Sequence, residues 1–191
     1  MARYRGSRVK VIRRLGMLPG LTSKSTKRFI NDGSNVRQLS QYGFHLQEKQ
    51  KIRYNYGISE HELVQYVKKA KNKKGNTGDK LLELLEMRLD TILYRAGIVS
   101  TIINARQLIS HGHVFINNKK VTVPGLKCNL LDKISLNENF VTSKNNIDNS
   151  NHLVVDTMND KVLITVNNFP DTKILGFSLN ILLVLEYYSG K

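Results

Sequence analysis

The sequence predicts an α+β protein: a basic N-terminal arm and a small all-helical unit, followed by two helices and an antiparallel β-hairpin and sheet. Three observations carry this. Between Lys80 and Gly112 the apolar residues recur at helical spacing, with capping residues at the breaks. From His113 to Leu136 short β-rich runs take over, joined at Asn117-Asn118. Residues 1–31 hold Arg3, Arg5, Arg8, Lys10, Arg13, Arg14, Lys24, Lys27 and Arg28 and no acidic residue. The implied divisions are an arm at 1–41, a helical unit at 42–87 completed by 178–191, and a module at 88–177 whose core is 88–137.

In the arm, Gly6, Gly16, Pro19 and Gly20 interrupt any long helix. A stretch this charged and this broken is expected not to order by itself, so it either stays solvated or orders on a polyanion. Arg3, Arg5, Arg8, Arg13 and Arg14 are its candidate contacts. The formal net charge of +15 over 191 residues points the same way, toward nucleic acid or an anionic membrane surface. No apolar run approaches the roughly eighteen residues of a membrane span. The single cysteine, Cys128, excludes an internal disulfide and a four-cysteine zinc site.

Residues 42–57 predict a short, basic, weakly amphipathic helix closed by Gly57. A helix polar on most sides leans on something charged, which makes Lys49, Lys51 and Arg53 candidates. Tyr54 and Tyr56 are assigned to core or interface before base stacking. Ser59 and Glu62 form a capping box that launches a helix through Leu63, Val64, Tyr66 and Val67. It runs into Lys68-Lys69-Ala70-Lys71-Asn72-Lys73-Lys74. These are more cations than a helix dipole needs, so Lys73 and Lys74 are taken as phosphate contacts.

After a linker at Asn76–Asp79, one helix is expected from Lys80 to Gly97, with Leu85, Leu89, Ile92, Leu93 and Ala96 on its apolar stripe. Arg88, Thr91 and Arg95 fall on a neighbouring line. Ser100 or Thr101 caps the next helix, which buries Ile102, Ala105, Leu108 and Ile109 and turns Arg106, Gln107 and His111 outward. Asn117-Asn118 tolerates the positive φ of a tight turn, after which Lys119-Lys120 starts the return strand. A third strand follows at 132–136. Residues 137–151 read as a surface loop, and 153–155 and 162–166 as further strands. Leu182, Leu183, Leu185 and Tyr187 are expected in the core.

The series Arg88-Leu89-Asp90, Ala105-Arg106-Gln107-Leu108, Ser110-His111-Gly112-His113, Ile116-Asn117-Asn118-Lys119, Pro124-Gly125 and Asp132-Lys133-Ile134 resembles the RNA-binding module of small-subunit ribosomal protein four. Outside it, Tyr42-Gly43, Glu48-Lys49-Gln50-Lys51 and Tyr56-Gly57 are close to a signature of the same family. Residues 180–189 resemble its carboxyl end, most closely in plastid members. Met1-Ala2-Arg3-Tyr4 resembles the family's mature start.

The resemblance implies an RNA-binding domain and a structural protein. It implies binding to a junction in the 5′ domain of small-subunit rRNA early in assembly, a place near the mRNA entry with small-subunit proteins five and three, and an influence on decoding accuracy. Folded RNA is read by shape, backbone and 2′-hydroxyls. That suits Arg88, Arg95, Arg106, Lys119 and Lys120 as phosphate or groove contacts, with Gln107, Ser110 and His111 as hydrogen-bonding neighbours. Many relatives carry a zinc-binding cysteine cluster near the positions of Val9 and Ile12, and this sequence has none there. No metal or cofactor is expected. Location follows as a plastid (chloroplast) ribosome, with a bacterial cytoplasm as the alternative.

Two other classes, an RNA-modifying enzyme and a membrane-surface protein, fit the sequence less well. RNA pseudouridine synthases use an Arg-Leu-Asp string with a catalytic aspartate, but they need a separate catalytic sheet for which this chain has no room. Membrane-surface binding wants lysines opposite a large apolar helix face, and the basic segments lack that second face. The histidines at 111 and 113 are two apart across a helix end, a poor chelate.

Overall fold

The computed structural model describes residues 4, 6–24, 40–136, 152–158, 161–171 and 176–189. Arg3 and Arg5, the basic pair Lys27 and Arg28, and the loop expected at 137–151 lie outside them. In chain order the elements are α1 (Arg8–Leu15), α2 (Gln41–Asn55), α3 (Glu60–Lys71), α4 (Thr77–Glu86), α5 (Leu89–Arg95), α6 (Ile102–His111), β1 (Val114–Ile116), β2 (Lys119–Val121), β3 (Lys133–Leu136), β4 (Leu153–Met158), β5 (Lys161–Val166) and α7 (Ile181–Ser189). They form two compact units, 1–81 with 175–191, and 82–174.

The first unit is helical. Ser59 Oγ accepts the Glu62 N–H at 3.2 Å while Glu62 Oε2 accepts the Ser59 N–H at 2.8 Å, the capping box that the sequence announces. α7 packs on α2 and α3. Of the residues expected to be core there, Tyr187 is buried together with Val184, but Leu182 is 62% exposed. A nine-residue helix on the surface of its unit hides one stripe, not every leucine.

The arm departs from expectation between residues 8 and 21. Val11, Ile12 and Leu15 are buried on one face of α1, which packs on α2, and Leu18 and Leu21 are buried after it. The Gly20 N–H donates to the buried Asn55 Oδ1 at 2.9 Å. The cations occupy the opposite face of α1, so charge density along the sequence concealed a sufficient apolar stripe.

Across the boundary at residue 81, the single helix expected from Lys80 to Gly97 is two. It also starts at Thr77, three residues early. At the break Arg88 is extended (φ −78°, ψ 144°) and bridges Lys127. The N–H groups of Leu89 and Asp90 go to the Leu126 and Pro124 carbonyls, and Cys128 N–H to the Met87 carbonyl. Segment 124–128 thus supplies partners that a continuous helix would otherwise have supplied. α5 stops at Gly97 (φ 72°), where the Gly97 and Ile98 N–H groups return to the Tyr94 and Leu93 carbonyls.

The sheet is antiparallel with order β2-β1-β3-β5-β4. Asn117 and Asn118, at φ 49° and 66°, make the tight turn between β1 and β2. Register aligns Ile116 with Ile134, Ile134 with Ile164 and Ile164 with Val155. This row of branched side chains packs with Leu89, Ile92, Leu93, Ala105 and Ile109 of α5 and α6 in one core. The sheet therefore holds α6 and the β1–β2 hairpin in fixed relation.

Candidate RNA-binding face

α6 provides one half of the face. Thr101 Oγ1 accepts the Asn104 N–H at 3.2 Å to start it. Gly112, at φ 78°, ends it, with the Gly112 and His113 N–H groups returned to the Ile109 and Leu108 carbonyls. Ile102, Ala105, Leu108 and Ile109 are buried, so Gln107, Ser110 and His111 face solvent and Arg106 is half-buried.

β2 provides the other half, with Lys119 and Lys120 exposed. A Cβ added at Gly112 would run into the Lys120 side chain. The lysine stem therefore lies across the end of α6, near the helix's negative pole. This contact gathers His111, Gly112, Lys119 and Lys120. The His111 and His113 rings meet edge to face, centroids 6.1 Å apart. Asn117 fixes the hairpin tip to β3: its Nδ2 donates to Asp132 Oδ1 at 2.9 Å and its Oδ1 accepts the Lys133 N–H at 3.0 Å.

Two cations that the helical wheel placed on the outside are buried in the second unit. Arg88 is 1% exposed and Asp90 0%. Arg88 Nε donates to Asp90 Oδ1 at 2.9 Å and Nη2 to Oδ2 at 2.7 Å. Asp90 Oδ1 also accepts the Thr91 N–H at 3.0 Å, and Arg106 Nε stands 3.9 Å from Asp90 Oδ2. Arg95, 5% exposed, donates to both Glu86 oxygens, at 2.8 and 2.9 Å. Neither guanidinium reaches the surface, so Arg88 and Arg95 leave the set of candidate phosphate contacts. The physical reason is that a planar guanidinium can be buried when a carboxylate meets it bidentately. The wheel failed at Arg88 because that residue precedes a helix instead of lying within one.

Lys49 is corrected in the same way. It is buried in the first unit, 2.9 Å from Glu60 Oε2 and 4.6 Å from the Tyr187 ring centre. Glu60 also accepts the Tyr188 hydroxyl at 2.8 Å. Burial works to raise the Glu60 pKa, but the bonds from Lys49 and Tyr188 and the charges of Lys49 and Arg53 outweigh it and hold the carboxyl below its ordinary value. Lys51, half-buried, pairs with Glu48 at 2.6 Å and donates to the Ser178 carbonyl. Arg53, also half-buried, stacks on Tyr54 at 5.1 Å. Arg8, Arg13, Arg14 and Lys74 are exposed and Lys73 half-buried.

Lys127 and Lys133 are also exposed in the second unit. The motifs do not single them out as contacts, although alternation in β3, with Ile134 and Leu136 inward, already turns Lys133 outward. Among the described residues no group of three or more His, Cys, Asp or Glu is placed to hold a metal ion. His152 is buried, and that burial lowers its pKa.

Residues 3–86 match the model of the ribosomal protein S4/S9 N-terminal domain, and residues 87–134 that of the S4 domain. The small ribosomal subunit protein uS4c of Bigelowiella natans is 64% identical, across 100% of both chains. The chain belongs to the ribosomal S4 family. The uS4c of Oltmannsiellopsis viridis is 50% identical over 99% of this chain and 100% of its own, and that of Mesostigma viride 45% over 99% and 98%. This S4-family chain is a small-subunit ribosomal protein with an RNA-binding S4 domain, and its relatives are ribosomal proteins, not enzymes. Asp90, the aspartate of the Arg-Leu-Asp string, is correspondingly held in an ion pair. The S4-domain match starts at Met87, where α4 has ended, and spans α5, α6 and the hairpin.

Proposed function

We propose that this S4-family chain binds a multi-helix junction in the 5′ domain of small-subunit rRNA, joins early in assembly and contributes to translational accuracy. Its neighbours are small-subunit proteins five and three and the mRNA near its entry, and its setting is the plastid ribosome, as the uS4c names of its relatives suggest. One observation carries the reading: within the S4 domain, Lys120 lies over Gly112 at the end of α6, gathering solvent-facing Lys119, Lys120 and His111 on a rigid support. Arg106, Gln107, Ser110, Lys127 and Lys133 extend the proposed contact set. The mechanism is positional and electrostatic, since phosphates are met by preset cations while the core stays unchanged.

The test is the double variant Arg106→Ala/Lys119→Ala. It is expected to bind a 5′-domain transcript about tenfold or more weakly, with a salt slope shallower by about two, while thermal unfolding stays close to that of the unchanged protein. Equal affinity removes these residues from the interface. Sedimentation of an organelle extract provides the second arm: the chain is expected to travel with small subunits.

A further inference from the structure

The first unit carries an aromatic feature that the cation-based face does not use. Tyr4 is 49% exposed, and its side chain meets three neighbours. Its hydroxyl donates to the Ser7 carbonyl at 3.3 Å. Its ring meets Tyr54 edge to face, centroids 5.5 Å apart at 80°. Its tip rests on Gly6, where an added Cβ would come 2.5 Å from the hydroxyl oxygen and 2.6 Å from Cζ. Only a residue without a side chain permits that seat. Tyr54 in turn lies under the Arg53 guanidinium, 5.1 Å from the ring centre.

Tyr56 is fully buried and serves packing, whereas Tyr4 keeps half its surface open. Here an aromatic ring is both held and half open, with exposed Arg8 and Lys10 starting the next helix and Arg3 and Arg5 flanking it in sequence. Flat apolar surface in a cationic setting fits a π-face accompanied by phosphates, the chemistry of an unpaired nucleotide. We propose that Tyr4, seated on Gly6 and braced by Tyr54, is a stacking platform for one unpaired base of the bound RNA. This site rests on the reading of the chain as an rRNA-binding protein and adds a contact of another kind, outside the S4 domain.

Stacking and phosphate contacts differ in salt dependence, and this separates them. Binding of the full chain to a small-subunit rRNA 5′-domain transcript is measured from 50 to 200 mM KCl. Tyr4→Leu keeps apolar bulk against Tyr54 without a π-face. It is expected to weaken binding on the order of tenfold at every salt concentration, leaving the slope unchanged. Tyr4→Phe is expected to bind within about twofold of the unchanged chain, because stacking needs the ring and not the hydroxyl. Gly6→Ala, which pushes the ring off its seat, is expected to weaken binding as Tyr4→Leu does. Thermal unfolding of all three, followed by circular dichroism, is expected to match that of the unchanged chain.

Equal affinity for Tyr4→Leu overturns the platform, as does a loss confined to low salt, or a Tyr4→Phe variant as weak as Tyr4→Leu. A ring docked on a neighbouring protein instead gives the first of these results. If the unchanged chain fails to bind the transcript, the rRNA reading falls and the platform with it. If it binds and Tyr4→Leu binds equally, only the platform falls.

Discussion

At the scale of single residues, the central pair is Arg88 and Asp90. Each buried charge is tolerated only because the other is present, so the pair supports the fold through what its disruption would cost more than through what it adds. Asp90→Ala leaves a guanidinium buried without its carboxylate and is expected to cost about 3–5 kcal/mol, read as a lower urea midpoint. The double variant Arg88→Met/Asp90→Leu, apolar and similar in volume, is expected to lose less than that single change. A double variant weaker than Asp90→Ala would show that the pair contributes net stability. Near it, Gly125 lies against the Arg88 guanidinium, where a Cβ would stand 3.4 Å from Nη2. The Pro124-Gly125 turn of the motif thus closes over the ion pair.

At the scale of elements, local signals were legible and partner choice was not. The capping box at Ser59 and Glu62, the Thr101 cap, the stop at Gly97 and the Asn117-Asn118 turn each act within a few residues, so sequence spacing suffices to find them. Whether Lys49 faced solvent or Glu60 depended on how α2 meets α3, which no periodicity encodes. α1 was missed for a related reason: its stripe of Val11, Ile12 and Leu15 counts only once α2 is there to receive it. Leu18→Ala is therefore expected to cost about 2–5 kcal/mol, as for other buried leucines, measured by urea unfolding. A loss under 0.5 kcal/mol would return the segment to the status of a solvated arm.

Glu60 gives the same unit a pH dependence. Its folded pKa is depressed, so its contribution is present above the unfolded-state value, about 4.3. It is lost as pH falls through the lower folded value. Glu60→Gln is expected to lower the melting temperature at pH 7, and the gap between the two proteins is expected to narrow below about pH 4. A gap of constant size from pH 7 to pH 3 would rule out this contribution.

For the whole molecule, net charge was the most transferable signal, since +15 points to a polyanion whatever the fold. It could not say which cations are free to meet one. Burial removes Arg88, Arg95 and Lys49 from the count, while α1, the end of α3 and the face around Lys120 retain exposed basic residues. If about ten phosphates are engaged, affinity is expected to fall on the order of 10³-fold or more between 50 and 200 mM salt. Filter binding over that range checks this, and a tenfold fall would mean only a few phosphates are met.

The division of the chain also sets a schedule. Every strand of the sheet has been synthesised once Val166 leaves the exit tunnel, so a nascent polypeptide can assemble its S4 module while translation continues. Helices α2 and α3, made much earlier, wait for α7 before Glu60 receives Tyr188 and Lys49 its aromatic cover. A product released before residue 176 would carry a finished S4 module beside an uncapped helical unit, with surface a protease or chaperone recognises.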